Sequence, residues 1–196
     1  MKIVICFAMA YLVGSIPFAY LFTYFLIGKD ITKIGTKNPG AANVAREVGK
    51  KWGVIVWLGD MLKGIFPLSF AYQFGISNLI LLTLIGITAI TGHCFSIFLK
   101  FKGGKGAATM GGVILYLIPE LFPLVIILWF LAQKINPRSV KVLLFCILFF
   151  FLALFLLSSF YNKYKNKFPL LTICVFIMIL FGLLKNIDLL KEIKSK

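Results

Sequence analysis

Acidic residues are scarce in this chain: six Asp and Glu stand against 21 Lys and Arg, and there is a single histidine. So small a stock leaves no Ser–His–acid constellation, no HEXXH pair and no pair of carboxylates, which removes the parts of conventional nucleophilic, zinc-hydrolytic and paired-carboxyl chemistry. The four cysteines, Cys6, Cys94, Cys146 and Cys174, are scattered through apolar runs without any CxxC spacing, so neither a disulfide framework nor a zinc site is expected. Charge itself is in short supply. At 14% charged and 61% hydrophobic residues, the composition lies far from that of a soluble domain. It is the composition of an integral membrane protein, and no nucleic-acid partner is expected.

What is present is a series of apolar runs: residues 3–27, 53–74, 79–98, 107–118, 121–132, 142–160 and 168–184. The first follows a single Lys2, is too long for a signal-peptide core and reads as a retained span. The fourth and fifth are short and meet at Pro119-Glu120, so the chain forms either six spans or seven. Lysine and arginine are held on the cytoplasmic side, which favours seven. The loop 28–52 then lies inside with Lys29, Lys33, Lys37, Arg46, Lys50 and Lys51, together with Lys100, Lys102, Lys105, the group Lys134, Arg138 and Lys141, and the C-terminal lysines. Only Lys2, Lys163, Lys165 and Lys167 remain outside. The expected fold is all-α: a polytopic transmembrane helix bundle of seven spans, N-terminus out and C-terminus in, one span short, with glycine-rich cytoplasmic loops. It forms a single integral membrane domain over residues 1–196. With a net charge of +15, the loops would meet anionic headgroups of the lipid bilayer and attract anionic substrates.

Two loops carry the candidate chemistry. Residues 91–112, TGHCFSIFLKFKGGKGAATMGG, read as a glycine loop with open amides feeding the start of a helix, a place that suits an anion, with Lys105 adding a full charge. Residues 35–49, GTKNPGAANVAREVG, read as a short helix over 39–48 with Asn38 as N-cap, Pro39 at N1 and Gly49 as the stop. On it Asn43, Arg46 and Glu47 share a face, and Thr36, Asn38, Asn43 and Arg46 can converge on a phosphate. An interfacial helix with ordinary caps explains the same residues without a ligand.

Within the spans, Asp60 and Lys63 are three apart on one face and can pair, or contact the site from the bundle interior. Ser15, in GSIP, is expected to bond its own helix beside Pro17. His93 is expected to be a hydrogen-bonded structural residue or a contact of the site.

Taken together these stretches resemble the bacterial acyl-phosphate:glycerol-3-phosphate acyltransferases. GSIPFAYL at 14–21, DITKIGTKNPGAANVAREVGKKWG at 30–53, Asp60 with Lys63-Gly64, and GHCFSIFLKFKGGKGAATMGG at 92–112 are similar to that family's ordered motifs, over about residues 11–115. The resemblance implies seven spans with a cytoplasm-facing active site in a bacterial plasma (inner) membrane and no metal or organic cofactor. It also implies transfer of a fatty acyl group from acyl phosphate to the sn-1 hydroxyl of glycerol 3-phosphate, giving lysophosphatidic acid for phospholipid biosynthesis. Thr36, Asn38, Arg46 and Lys105 are then the candidate catalytic residues. Gly40 and Asn43 join the first motif, Gly103, Gly104 and Gly106 hold glycerol phosphate, and Ser15, Asp60, His93 and Asn186 complete the candidate substrate contacts. A monomer is expected.

The chain also departs from the pattern. Thr36-Lys37 stands where Ser-Gly is usual, Ala42 replaces a threonine and Ser96 replaces a proline. Towards the C-terminus, Lys134–Ser139 answers an Arg-Tyr-x-Ser-x-x-Ser region, and a His-Arg-x-Asn-Ile-x-Arg-Leu motif is represented by Leu183, Asn186, Ile187 and Leu190. These departures allow an alternative, a catalytically weakened paralogue that binds anionic lipid or partners an acyltransferase. A small anion transporter would show internal pseudo-symmetry, and no repeat links residues 30–53 with 92–112.

Overall fold

The computed structural model describes residues 1–123, so the expected spans at 121–132, 142–160 and 168–184, the loop 134–141 and Asn186 lie wholly or almost wholly outside the described residues. The chain divides into two compact units, Met1–Leu117 and Ile118–Lys196. Of the second, a 3-10 turn over Pro119–Leu121 is described. The first unit is helical: α1 (Lys2–Ser15), α2 (Phe18–Ile27), α3 (Ala41–Glu47), α4 (Lys50–Gln73), α5 (Leu79–Cys94) and α6 (Ala107–Leu117), with a 3-10 turn over Ile97–Leu99 between the last two.

Three helical stretches among the described residues are long and apolar enough to cross a membrane: Lys2–Ile27, Lys50–Gln73 and Leu79–Leu99. Ala107–Leu117 is shorter, as the sequence leads one to expect for the fourth run; 11 residues rise only about 17 Å. Large apolar side chains stay exposed along α1, α2 and α4, among them Val4, Leu12, Phe25, Leu62 and Phe66. That outward greasiness suits a hydrocarbon solvent, where backbone polar groups must find partners inside the protein.

The first run is not one continuous helix. Pro17 has no N–H to continue the ladder, and the chain turns at Ile16, whose amide reaches only to the Val13 carbonyl at 3.2 Å. The third run is α-helical to Cys94 and carries on through a 3-10 turn to Leu99, the break coming where the last carbonyls of α5 are taken by other parts of the chain. At its start, the Asn78 side chain accepts from the amides of Ile80 and Leu81 at 2.9 and 3.2 Å and fixes the entry into α5.

Helices approach closely where residues are small. α1 packs on α5 and α4, and α4 on α6. A side chain at Gly14 would strike the backbone of Ala89, and one at Gly92 the backbone of Tyr11, so these glycines bring α1 and α5 together. Gly64 faces the Thr109 carbonyl and Gly112 the Met61 carbonyl in the same way between α4 and α6. In lipid, where apolar side chains gain little by leaving their surroundings, such backbone-to-backbone packing is a principal source of helix association.

Gly112→Leu therefore forces α6 away from a backbone atom that cannot rotate aside. The expected cost is about 1–3 kcal/mol, as for overpacking of a tight core, seen as a lowered unfolding temperature of the purified protein in detergent; an unchanged transition would refute the close-packing account.

Candidate active site

The site is built around the C-terminal end of α5. A helix leaves its last carbonyls without intrahelical partners, and here four in a row are satisfied from elsewhere. The Ser15 hydroxyl donates to the Gly92 carbonyl at 3.3 Å, the Gly104 amide to His93 at 3.1 Å and the Gly103 amide to Cys94 at 3.0 Å, and the Tyr11 hydroxyl to Phe95 at 2.8 Å. α1 supplies two of the four donors and the glycine loop the other two.

This arrangement corrects two expectations. Ser15 does not bond its own helix; the broken ladder at Pro17 and the close approach of α5 through Gly92 turn its hydroxyl outward across the helix pair. The amides of Gly103 and Gly104 are not open to a ligand, because they face unsatisfied carbonyls within reach. A side chain at Gly103 would overlap the His93 carbonyl, and one at Gly104 would overlap the His93 ring nitrogen Nε2, so glycine is required for the loop to lie against α5. Further on, among the described residues, no backbone carbonyl takes the amides of Lys105, Gly106 or Ala107 at the entrance of α6. These are the amides that remain for an anion.

Below the cap lies a group of buried polar residues, an ion pair and a histidine. Lys63 donates to Asp60 Oδ1 at 2.6 Å, and His93 Nδ1 stands 3.6 Å from the same oxygen. Asp60 is 2% exposed, Lys63 3% and His93 7%. The Lys63 ammonium also lies 4.9 Å from the centre of the Phe18 ring, a cation–π contact. Ionised groups this deep persist only when paired, and here the pair forms within α4, with His93 of α5 packed against it.

These residues line a small pocket, together with Ser15, Ser96, Pro39 and the Gly103-Gly104 pair. Of the residues expected from sequence, the structure thus brings Ser15, Asp60, His93, Gly103 and Gly104 together. Thr36, Asn38, Gly40, Asn43, Arg46, Lys105 and Gly106 do not line it. Pro39, Lys63 and Ser96 do; of these, sequence reasoning had offered only Lys63, as a partner of Asp60 or a contact of the site. Lys63 was signalled by its place in a span, and Ser96 only by standing where the resembling family has proline.

The first loop approaches the second at Pro39, whose carbonyl would lie 3.1 Å from a side-chain carbon added at Gly104. This contact bears on how the loop folds. Helix α3 begins at Ala41, with Gly40 in extended backbone as its N-cap and no side-chain cap, rather than at Pro39 with Asn38 as cap. Pro39 is buried against the pocket, and the Gly40 amide turns back to the Asn38 carbonyl at 2.9 Å, which delays the helix by two residues. Asn43, 1% exposed, uses its amide group within the loop. Its oxygen accepts from the Thr36 amide at 2.9 Å, and its nitrogen donates to the carbonyls of Ile34 and Ile31 at 3.0 and 3.3 Å. It shapes the loop that carries Thr36. At the start of that loop Asp30 accepts from both the Thr32 hydroxyl and amide; these bonds, with Lys33 nearby, hold its carboxyl below the ordinary range.

Of the cations, Lys63 lines the pocket and those of the two loops do not. Arg46, Lys37 and Lys105 are exposed. Desolvation at the loop lowers the Lys105 pKa from its ordinary value, so an anion placed there would relieve the cost of its charge. No cluster of three or more metal-ligating side chains occurs among the described residues.

Comparison with known proteins agrees with this geometry. A family model described as glycerol-3-phosphate acyltransferase matches residues 4–193. A glycerol-3-phosphate acyltransferase of Lacticaseibacillus casei is 39% identical over 130 residues, 66% of this chain and 63% of that protein, so the matched region spans less than two thirds of that relative. Two crystal structures of PlsY (YgiH), an integral membrane glycerol 3-phosphate acyltransferase, share the fold. The glycerol 3-phosphate form has a TM-score of 0.77 at 28% identity, and the lysophosphatidic acid form 0.75 at 27%. Each covers 100% of this chain and 93% of its own.

Removing one member of the buried pair leaves the other charge uncompensated. Lys63→Met is expected to destabilise the protein by about 3–5 kcal/mol, and adding Asp60→Asn to recover most of that loss. Denaturant titration of the two variants in detergent checks it; equal loss in both would mean that the pair does not act as a unit.

Proposed function

The chain belongs to the glycerol-3-phosphate acyltransferase family, and from that membership we propose that it transfers a fatty acyl group from acyl phosphate to the sn-1 hydroxyl of glycerol 3-phosphate, forming lysophosphatidic acid. The observation that carries the reading is the meeting of the two basic, glycine-bearing loops at Pro39 and Gly104, over one pocket. Each loop brings an exposed cation, Arg46 on one and Lys105 on the other. Two such sites suit a reaction in which both substrates carry a phosphate.

In the proposed reaction the acceptor hydroxyl oxygen attacks the acyl carbonyl carbon. The new ester C–O bond forms as the bond from that carbon to the phosphate oxygen breaks, and phosphate leaves with the electron pair. The hydroxyl proton passes to a phosphate oxygen, so the side chains need supply no base. Acyl phosphate is already activated, and the protein gains rate by fixing the hydroxyl against the carbonyl and by placing positive charge where negative charge develops. Lys105 and the amides at the entrance of α6 hold glycerol phosphate. Thr36, Asn38 and Arg46 hold the acyl phosphate, with Gly40 and Asn43 shaping their loop. Ser15, Asp60, His93, Gly103 and Gly104 support the pocket between them.

The same reading takes the chain as one integral membrane domain of seven spans, N-terminus out and C-terminus in, in a bacterial plasma membrane, with the two loops in the cytoplasm. The positive-inside distribution of the loop cations supports this orientation, and Asn186 is proposed as a further contact of the acceptor.

The test is phosphate release from acyl phosphate by the purified protein, with and without glycerol 3-phosphate. Release that depends on the acceptor is expected, together with a fall in kcat/KM of about 100-fold for either Arg46→Gln or Lys105→Met, the size of losing one charge-stabilising donor. Acceptor binding without release would instead favour a catalytically weakened paralogue. Full turnover in both variants would overturn the electrostatic account.

A further inference from the structure

Ser96 is 2% exposed, lines the pocket and has no role in the acyl transfer just described. Its bonds run in two directions. The hydroxyl donates to the Ser15 carbonyl, which lies at the broken end of α1 and has lost the helical partner it would have had past Pro17. The Ser96 carbonyl accepts from the amides of Leu99 at 3.1 Å and Phe101 at 2.8 Å, closing the turn that leads into the glycine loop. This turn is held against its own preferences: Lys100 and Phe101 both have positive φ, 52° and 62°, a region that side chains other than glycine and asparagine enter at a cost.

One residue therefore ties the break in the first span to the start of the glycine loop. The tie is reciprocal, because the Ser15 hydroxyl donates back to Gly92. Without the Ser96 hydroxyl, the buried Ser15 carbonyl has no donor among the described residues, and a buried unpaired group of this kind costs about 1–3 kcal/mol. The Ser96 backbone sits at φ −63° and ψ 123°, and that φ is the one a proline ring would impose. The sequence has serine where the resembling family has proline, so the hydroxyl bond does in this chain what the ring restriction would do in such a chain.

We propose that Ser96 is a positioning residue: through the Ser15 carbonyl it holds the 96–101 turn, and hence the Gly103-Gly104 segment on α5, in the register that the acceptor site requires. It does not touch the reacting atoms. Its effect is on the population of loops docked against α5, and therefore on acceptor affinity more than on the chemical step. Only the kinetic part of this proposal rests on the acyltransferase reading; the docking of the loop does not.

The variants are Ser96→Ala, which deletes the donor and leaves the backbone free, Ser96→Thr, which keeps the donor, and Ser96→Pro, which fixes φ without it. Hydrogen–deuterium exchange of residues 101–106 in detergent-purified protein reads loop docking, and amides of α4 and α6 report whether the bundle is intact. Faster exchange of the Gly103 and Gly104 amides is expected in Ser96→Ala, with near wild-type protection in Ser96→Thr and Ser96→Pro. In turnover, Ser96→Ala is expected to raise the KM for glycerol 3-phosphate about fivefold to tenfold, with kcat changed less than about twofold, as loss of a ground-state docking contact should do. Should the alanine variant fail to fold, Ser96→Cys keeps the shape with a weaker donor, and the same increase in exchange is expected in it. Wild-type protection of Gly103 and Gly104 in Ser96→Ala overturns the proposal. A wild-type protein with no acyl transfer would overturn the acyltransferase reading and still leave the exchange comparison to decide on Ser96.

Discussion

Four carbonyls at the end of one helix organise the described half of this protein. In water the last turn of α5 would be hydrated at no expense. In a membrane-embedded bundle each of Gly92, His93, Cys94 and Phe95 must have a donor from the protein, and the donors come from two distant stretches, Tyr11 and Ser15 on α1 and Gly103 and Gly104 in the loop. Satisfying those carbonyls thus fixes the first span, the third span and the glycine loop in one arrangement. It also explains why small residues gather here. The donors can reach only if the backbones come close, which requires the bare positions at Gly92, Gly103 and Gly104.

The buried charges depend on the same closure. Asp60, Lys63 and His93 lie under the capped end of α5, where little water reaches. Their mutual distances of 2.6 and 3.6 Å keep the charges compensated within the bundle rather than by solvent. Such a group is weak evidence of net stability, since desolvation offsets most of the attraction. Its more useful property is a fixed polar floor. Over that floor the two loops meet at Pro39 and Gly104, and each carries an exposed cation along its length, Arg46 on one and Lys105 on the other.

Much of this was legible in the sequence where a local rule applied. Apolar runs gave α4 and α5 to within a few residues at most ends, and the spacing of Asp60 and Lys63 gave their pair. The short fourth run emerges as the short α6, and the glycine spacing showed where backbones or ligands come close. What could not be read was which of those two the glycines serve. Gly103 and Gly104 have the composition of an anion cradle, yet their amides belong to α5, because the decisive partners, Cys94 and His93, lie well back along the chain and are defined only by where α5 stops. The helix start at Ala41 was missed for a similar reason: Asn38 and Pro39 have good local grammar for a cap, and a tertiary contact with Gly104 outweighs it. The Ser15 hydroxyl, likewise, follows a neighbouring helix rather than its own.

The distinction between cradle and clasp changes what the loop can do. A cradle of free amides would bind phosphate whether or not the bundle around it were assembled. On the proposed reading, a clasp that spends Gly103 and Gly104 on α5 leaves anion contact to Lys105 and to the amides of Lys105, Gly106 and Ala107, which are held in place when α1, α5 and the loop are docked together. Binding is then conditional on packing. On that same reading, in which rate comes from alignment rather than from a dedicated base, this condition is useful, because a misplacement of about 1 Å can cost as much rate as the loss of a catalytic group. The glycines that look like ligands are better understood as the reason that the ligands stay where they are.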